Sequence, residues 1–339
     1  MTQPTNTHDR YDLNTNGDDV REDLSDIIYN ISPTETPFMS NAGRGTSASD
    51  LKEWLLDELA DPDTANAHID GDDFAGDALD DASRLGNYHQ ISKKQIVVSR
   101  RANKVNKAGR RSELAYQIAK KGKELKRDVE AILTGANQVA AAGNATTAPT
   151  TADLTSWLKT NTDRGATGAD PALSNTTYGQ PTTAATDGTL RALSEATLLG
   201  IIGDIYVEGG DPSVIMLHPT IKQRFSQYMF GTSARIATPY QDHGANKRSG
   251  VTAIGAVDVY VSDFGVLDIV PNRFQRSRDV FVLDMEYWEV SYLDGFKTEV
   301  IAKTGDSEKR HILVDYALCS KNEAASGIVA DVDDVAMTA

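Results

Sequence analysis

An α+β fold is predicted by three observations. One long helical pattern stands alone in the middle of the chain, a strand that leaves and a strand that returns bracket an acidic stretch before it, and the C-terminal part is rich in strands. The helical pattern spans Asn106–Asn137. Leu114, Ile118, Leu125, Val129 and Ile132 recur at spacings of three, four or seven, which places them on one stripe of a 3.6-residue period. Ser112 followed by Glu113 marks a start, and Gly135 with Asn137 marks a stop. The opposite face carries Arg110, Arg111, Lys120, Lys121, Lys123, Lys126 and Arg127. Such a helix is roughly 40 Å long at 1.5 Å per residue. Gly122 interrupts the heptad after Ile118, which argues against a coiled coil. A long helix with one narrow apolar stripe suits a thin subunit spread along a surface.

From the start of the chain, residues 1–20 are polar and cannot bury enough surface to fold alone. In Arg21–Gly45, Leu24, Ile27, Ile28 and Ile31 form a short amphipathic helix. Pro33 and Pro37 then impose extended backbone, and Phe38 and Met39 follow as apolar anchors for docking on another surface. In residues 46–100, extended potential around Leu51–Leu59 leads into an acidic, glycine-rich stretch. The chain returns through a strand holding Ile91, Ile96, Val97 and Val98, which makes a long protruding hairpin. A loop of that length is usually functional, and Trp54, Leu55 and Leu56 at its base would form an exposed patch without a partner.

Residues 138–189 read as irregular, ordered where Trp157 and Leu158 pack and mobile around Thr182–Gly188. Leu193–Gly210 is a helix with Leu198, Ile201, Ile202 and Ile205 inward. Pro212–Pro219 is a short buried strand, and Thr220–Phe230 is a second helix that Thr220 starts. Val257, Val259 and Val261 alternate as a strand, with more strand around Val266–Val270. The remainder reads as three or four strands joined by turns at Asp294–Gly295 and Thr304–Asp306.

The 339 residues suggest two or so domains, and 40% hydrophobic residues suffice for real cores. No apolar run approaches the length of a membrane span, and the N-terminus lacks the pattern of a signal peptide. The single Cys319 excludes an intrachain disulfide and is expected to be a buried, inert thiol. The net charge of −15 is segregated: residues 1–90 carry −15, residues 91–135 carry +9 and the rest −9. Segregated charge points to complementary surfaces that meet, within the chain or between neighbours. An acidic chain is a poor non-specific binder of nucleic acid, so direct DNA binding is not expected as its main task.

No phosphate loop, HExxH, GxSxG elbow or EF-hand loop is present, and Gly43-Arg44-Gly45 is too short for a dinucleotide fingerprint. Asp70, Asp72 and Asp73 lack calcium-loop spacing, and none of the six histidines stands at metal-ligand spacing from another. His218 is expected to cap or pack. No enzyme activity, catalytic residue, cofactor or metal is therefore expected.

The residues carry a resemblance. The segment DLSDIIYNISPTETPFMS, with its Ser-Pro-Thr-Glu-Thr-Pro-Phe run at Ser32–Phe38, is followed by the Trp54 stretch, the basic helix, SWLKTNTDRGA and the helix–strand–His-Pro–helix order. Together, from about Asp23 to about Ala330, they resemble the major capsid proteins of tailed bacteriophages. The resemblance implies the Hong Kong 97-type fold, and a structural protein of the virion that assembles in the host cytoplasm. It implies pentamers and hexamers in an icosahedral shell around packaged double-stranded DNA, touched non-specifically. Scaffolding, portal and decoration proteins are further possible partners, and no membrane is. It divides the chain into an N-terminal arm (1–45), an extended loop (46–100), a peripheral domain with a spine helix (101–149), an axial domain (150–275) and a second peripheral part (276–339). The spine's stripe is then expected to pack on the sheet of residues 276–335. The acidic stretch 60–82 holds no lysine, which argues against a lysine crosslink from its tip. A cellular encapsulating shell or another phage head component is the alternative reading.

On this reading the intersubunit contact candidates are Phe38, Met39, Trp54, Leu55, Lys120, Lys121, Lys126 and Arg127. Apolar anchors supply affinity and the charges set register. Removal of residues 1–40 is expected to leave a folded subunit that closes no shells.

Overall fold

The computed structural model describes residues 32–60, 62–71, 81–106, 111–174, 179–232, 257–335 and 337. The readings of residues 1–20, of the amphipathic stretch to Ile31, and of Asp72 and Asp73 lie outside the described residues.

In chain order the elements begin with helix α1 (Pro37–Asn41) and strands β1 (Gly43–Thr46), β2 (Leu51–Leu56), β3 (Ser83–Tyr88) and β4 (Gln90–Ser99). Helices α2 (Arg100–Lys104), α3 (Glu113–Gly135) and α4 (Leu154–Trp157) follow, then strands β5 (Asn161–Asp163), β6 (Ala172–Leu173) and β7 (Pro181–Thr183). Helix α5 (Glu195–Val207), strand β8 (Val214–Leu217) and helix α6 (Pro219–Thr232) come next. Strands β9 (Val259–Val261), β10 (Val266–Pro271), β11 (Val280–Leu283), β12 (Trp288–Ile301), β13 (Ser307–Ser320) and β14 (Gly327–Val329) complete the chain.

The long helix α3 starts where Ser112 accepts a hydrogen bond from the Ala115 amide, and it ends at Gly135. Its 23 residues span roughly 35 Å, shorter than the pattern Asn106–Asn137 suggests, because the helix begins only after Ser112. Its buried residues are Leu114, Leu125, Val129, Glu130, Leu133 and Thr134, while Ile118 and Ile132 pack at the margin of the core. Gly122 faces the sheet, where an added Cβ would sit 4.0 Å from Ile312.

The sheet under α3 has the order β1-β12-β13-β4. β12 and β13 form an antiparallel pair of 14-residue strands. The turn between them uses Gly305 at a φ of +87°, a conformation glycine adopts without strain. Asp294–Gly295 is no turn: the register shifts between Tyr292 and Asp294 and again between Asp294 and Lys297, so β12 bulges and continues. β4 pairs along β13 from Tyr316↔Gln90 to Ser307↔Ser99. The strand read as the returning arm of the hairpin is therefore a sheet strand. The hairpin itself closes through β2 and β3, from Leu51↔Tyr88 to Leu56↔Ser83. Gly43-Arg44-Gly45 is β1, which runs parallel to β12, and Gly45 leaves room for the Glu289 carboxylate that a Cβ would strike.

The second sheet has the order β5-β14-β11-β8-β10-β9. Residues 276–335 thus serve both sheets rather than one: β12 and β13 join the first, β11 and β14 the second. Ser326 links the two crossings between sheets, because its Oγ accepts from the Asp284 amide at 3.2 Å and from Trp288 Nε1 at 2.9 Å. One face of the second sheet packs on α5 and α6 through Ile215, Leu217, Ile269, Val280 and Val282. Met216, Phe281, Leu283 and Ile328 on the other face belong to a core shared with α3, Trp157 and Trp288. In β9 it is Tyr260 that points inward, while Val259 and Val261 face out. Helix α6 begins at Pro219, and His218 Nδ1 lies 2.9 Å from Thr220 Oγ1 and 3.4 Å from its amide. The helix start is set by Pro219, whose ring pre-forms the first helical φ, and the adjacent His218 caps it.

Thr182–Gly188 is ordered, contrary to its composition. Arg276 and Arg278 hold Asp187 at 2.5 and 3.1 Å, and Asp331 accepts from Arg278 at 2.5 Å and from the amides of Gly165 and Gly188. Cys319 is buried as expected, and burial pushes its thiol up to about 12.

Burial raises two carboxyls of the surrounding core. Asp153 goes up to about 7 despite hydrogen bonds from Ser156 and Asn137 and the charge of Arg276, and Asp279 goes up to about 6 despite Arg276 and Arg164. A carboxyl raised in the folded state favours folding when protonated, so this contribution is complete below about pH 4 and is lost as pH climbs through about 7. The melting temperature should fall between about pH 5 and about pH 8, and Asp153→Asn should flatten that fall. An identical slope in the variant would show that Asp153 does not carry it.

Candidate subunit interface

Two segments of the chain are rooted on the core by buried polar groups, the hairpin of β2 and β3 and the helix turn Pro37–Asn41. The root of the hairpin is Asn87 on β3, which is fully buried. Its Nδ2 donates to Leu318 O at 2.7 Å and Thr151 Oγ1 at 3.0 Å, and its Oδ1 accepts from the Ala152 amide at 2.9 Å. The His89 amide and ring nitrogen both meet Asp50 O, at 3.0 and 2.9 Å. Trp54 leans on the buried Trp157 with ring centroids 5.5 Å apart. Beyond this root of the hairpin, among the described residues, Leu55 is 69% exposed, Leu59 99% and Ile69 80%. Its connection, residues 57–82, holds ten acidic residues and no lysine or arginine.

The N-terminal segment is rooted by a buried charge. Glu130 lies on the inner side of α3 and is fully buried. Its Oε1 accepts from the Phe38 amide and from Asn272 Nδ2, both at 2.8 Å, and its Oε2 accepts from the Met39 amide at 2.9 Å. Thr36 provides no side-chain cap for α1, so the Glu130 carboxylate takes the free amides of that short helix. Burial raises the Glu130 carboxyl above its ordinary value, and the three donors oppose the rise. Pro37 stands at the first position of α1, where its missing N–H costs nothing.

The eight residues singled out by sequence therefore divide. Phe38 and Met39 are 0% and 7% exposed, and the Phe38 ring meets Trp288 edge-on, so they anchor their own subunit and are corrected as contact candidates. Trp54 is half-buried on Trp157, whereas Leu55 is exposed. On α3, Lys121 is taken up by Glu124 at 2.6 Å, and Arg127 lies over Phe274 at 5.5 Å. Lys120 and Lys126 are exposed, and Lys126 stands over Phe296 at 5.8 Å. Sequence reasoning missed Glu130 and Asn87. Glu130 is one of four acids in α3, and its place beside Val129 at the edge of the apolar stripe was the one available signal for it.

Among the described residues, no group of three or more histidines, cysteines or acids is placed to hold a metal, and no helix is long and apolar enough to cross a membrane.

Residues 3–333 match the SU10 major capsid protein family. The major capsid protein of Escherichia phage Phieco32 is 26% identical over 324 residues, covering 88% of this chain and 90% of that protein. Among solved structures, the capsid asymmetric unit of cyanophage A-1(L) superposes with a TM-score of 0.61 at 14% identity, covering 92% of this chain and 97% of the other. Mycobacterium phage Adephagia gives 0.55 at 11% identity, with 96% and 98% covered. The SrpI encapsulin of Synechococcus elongatus gives 0.52 at 8% identity, with 98% and 99% covered. At these identities the structures show a shared fold, the Hong Kong 97-type capsid fold.

Glu130→Ala would leave the donors of Phe38, Met39 and Asn272 buried without an acceptor. Stability should drop by roughly 3 kcal/mol or more, since each orphaned donor costs about 1–3 kcal/mol. Glu130→Gln, which keeps one acceptor oxygen, should lose less. Coincident urea midpoints for wild type and Glu130→Ala would refute this anchoring.

Proposed function

The chain belongs to the SU10 major capsid protein family and is a phage major capsid protein, and from that premise we propose how it builds the shell. Copies associate in rings of five and six that close an icosahedral head around double-stranded DNA, assembled in the host cytoplasm. The N-terminal arm and the hairpin lie on neighbouring copies, and the domain reading of arm, extended loop, peripheral and axial parts is retained with the sheet assignments given above. The observation that carries this reading is the hairpin: a root locked by Asn87, His89 and Trp54 carries Leu55, Leu59 and Ile69 into solvent. Large aliphatic side chains exposed along a hairpin with a fixed root are a surface for another molecule. Projections also enlarge the contact area of a modest core, and stable interfaces bury roughly 1,200–2,000 Å² each. Contacts that run head to tail around a ring close by rotation.

Net negative charge favours a lining that holds packaged DNA without gripping it, because like charges repel phosphate. Scaffolding, portal and decoration proteins are further partners in this reading. Catalysis has no part in it.

Two experiments test it. A chain lacking residues 1–31 keeps Pro37, Phe38 and Met39, so it should melt cooperatively yet form no closed particles in negative-stain microscopy. The cut at residue 40 would remove the Glu130 partners and unfold the subunit. Leu55→Asp with Leu59→Asp should leave stability within about 0.5 kcal/mol, as exposed substitutions do, while particle yield collapses. Normal particles from either variant would refute the proposed roles of arm and hairpin.

A further inference from the structure

The basic surface of the long helix is not uniform, and its cations are engaged to different degrees. Lys121 is neutralised by Glu124, and Lys94 of β4 by Asp128 of the helix. Lys120, Lys123 and Arg127 line a cleft into which the chain itself runs at Ser32 and Thr34. One further cleft, of about 370 Å³, opens between the helix, α1 and the bulged part of β12. Its cations come from two elements far apart in sequence, Arg44 on β1 and Lys126 on α3. Neither has a carboxylate partner among the described residues, and both are exposed. Between them lie Tyr292, Phe296, Met39 and Thr36, so the cleft offers two positive charges over an apolar and aromatic floor.

The same chain carries the complementary chemistry on the connection of its hairpin, where acids stand beside exposed aliphatic residues: Glu58 next to Leu59, and Asp70 next to Ile69. We propose that the Arg44–Lys126 cleft is the receiving site for this acidic connection of a second copy. A carboxylate sits between the two cations and the adjoining aliphatic side chain lies on Phe296 and Tyr292. The inference rests on the shell-forming role proposed above and assigns one of its contacts to named residues. Occupancy by the chain's own connection, or by an unrelated anion such as phosphate, is the alternative that the test separates. A guanidinium and an ammonium over aromatic rings select an extended acidic peptide with an apolar neighbour, since the rings add attraction for the cations and burial for the aliphatic group.

The test uses the full chain. Arg44→Glu with Lys126→Glu should reduce particle yield at least about tenfold, the scale of one interfacial charge contact, with an unchanged thermal melt. Mixing that variant with a chain carrying Glu58→Lys and Asp70→Lys should restore assemblies that contain both chains, which neither forms alone; because a ring of five cannot alternate two chains, closed particles should return when all four substitutions are placed in one chain. Conservative Arg44→Lys should retain assembly and shift its salt dependence only slightly. Wild-type particles together with unimpaired assembly of the reversed variant would overturn this inference and leave the shell-forming role intact. Loss of assembly without rescue by the complementary chain would also overturn it, as would equal inhibition of wild type and variant by inorganic phosphate. A wild-type chain that forms no particles under any ionic condition would remove the role itself, and this contact with it.

Discussion

A single buried carboxylate, Glu130, joins three parts of the subunit that lie far apart in sequence. It receives N–H groups from Phe38, Met39 and Asn272, and so joins the N-terminal segment, the long helix and the end of β10. A charge removed from water is tolerable only when its lone pairs are met by donors, so this arrangement is satisfied as a unit or broken as one. It fixes where the N-terminal segment leaves the body of the subunit. It also explains why the proline-bearing run ends in Phe38 and Met39: the helix turn after Pro37 presents its free amides to the carboxylate, and the two side chains fill the space against Trp288 and the core.

Around that anchor the chain divides its strands between two sheets. β12 and β13 are long enough to reach past the core, and β4 lengthens their sheet at one edge. The chain leaves the second sheet after β11 and returns to it at β14 through turns that share the Ser326 hydroxyl. Polar groups rather than apolar ones hold the irregular segments: Asn87 roots the hairpin, and Arg276, Arg278, Asp187 and Asp331 pin the region from Gly165 to Gly188. Buried polar groups impose geometry as well as cohesion, because a shifted neighbour leaves them unsatisfied. That geometry fixes the base of the hairpin and the helix turn Pro37–Asn41 against the core.

The division of labour between apolar and charged residues is correspondingly sharp. Leu55, Leu59 and Ile69 face solvent from the hairpin, whereas Phe38 and Met39 face the subunit's own interior. On the long helix Lys121 is paired with Glu124 and Asp128 with Lys94 of β4, whereas Lys120 and Lys126 are exposed.

Much of this was legible in the sequence. The 3.6-residue stripe and Ser112 located the long helix, the inward residues of α5 and the strand Val214–Leu217 followed from local pattern, and the chain-wide resemblance identified the capsid fold. These features depend on residues close together in sequence, whose periodicity survives whatever packs against them. What the tertiary structure alone decided were relations between distant residues. No local pattern says that Glu130 meets Phe38 from 92 positions away, that β4 belongs to a sheet with β13, or that residues 276–335 are shared between two sheets. Phe38 and Met39 read as anchors in either case. Only three-dimensional packing could show that the surface they anchor to is their own, because apolar character specifies burial and not the partner.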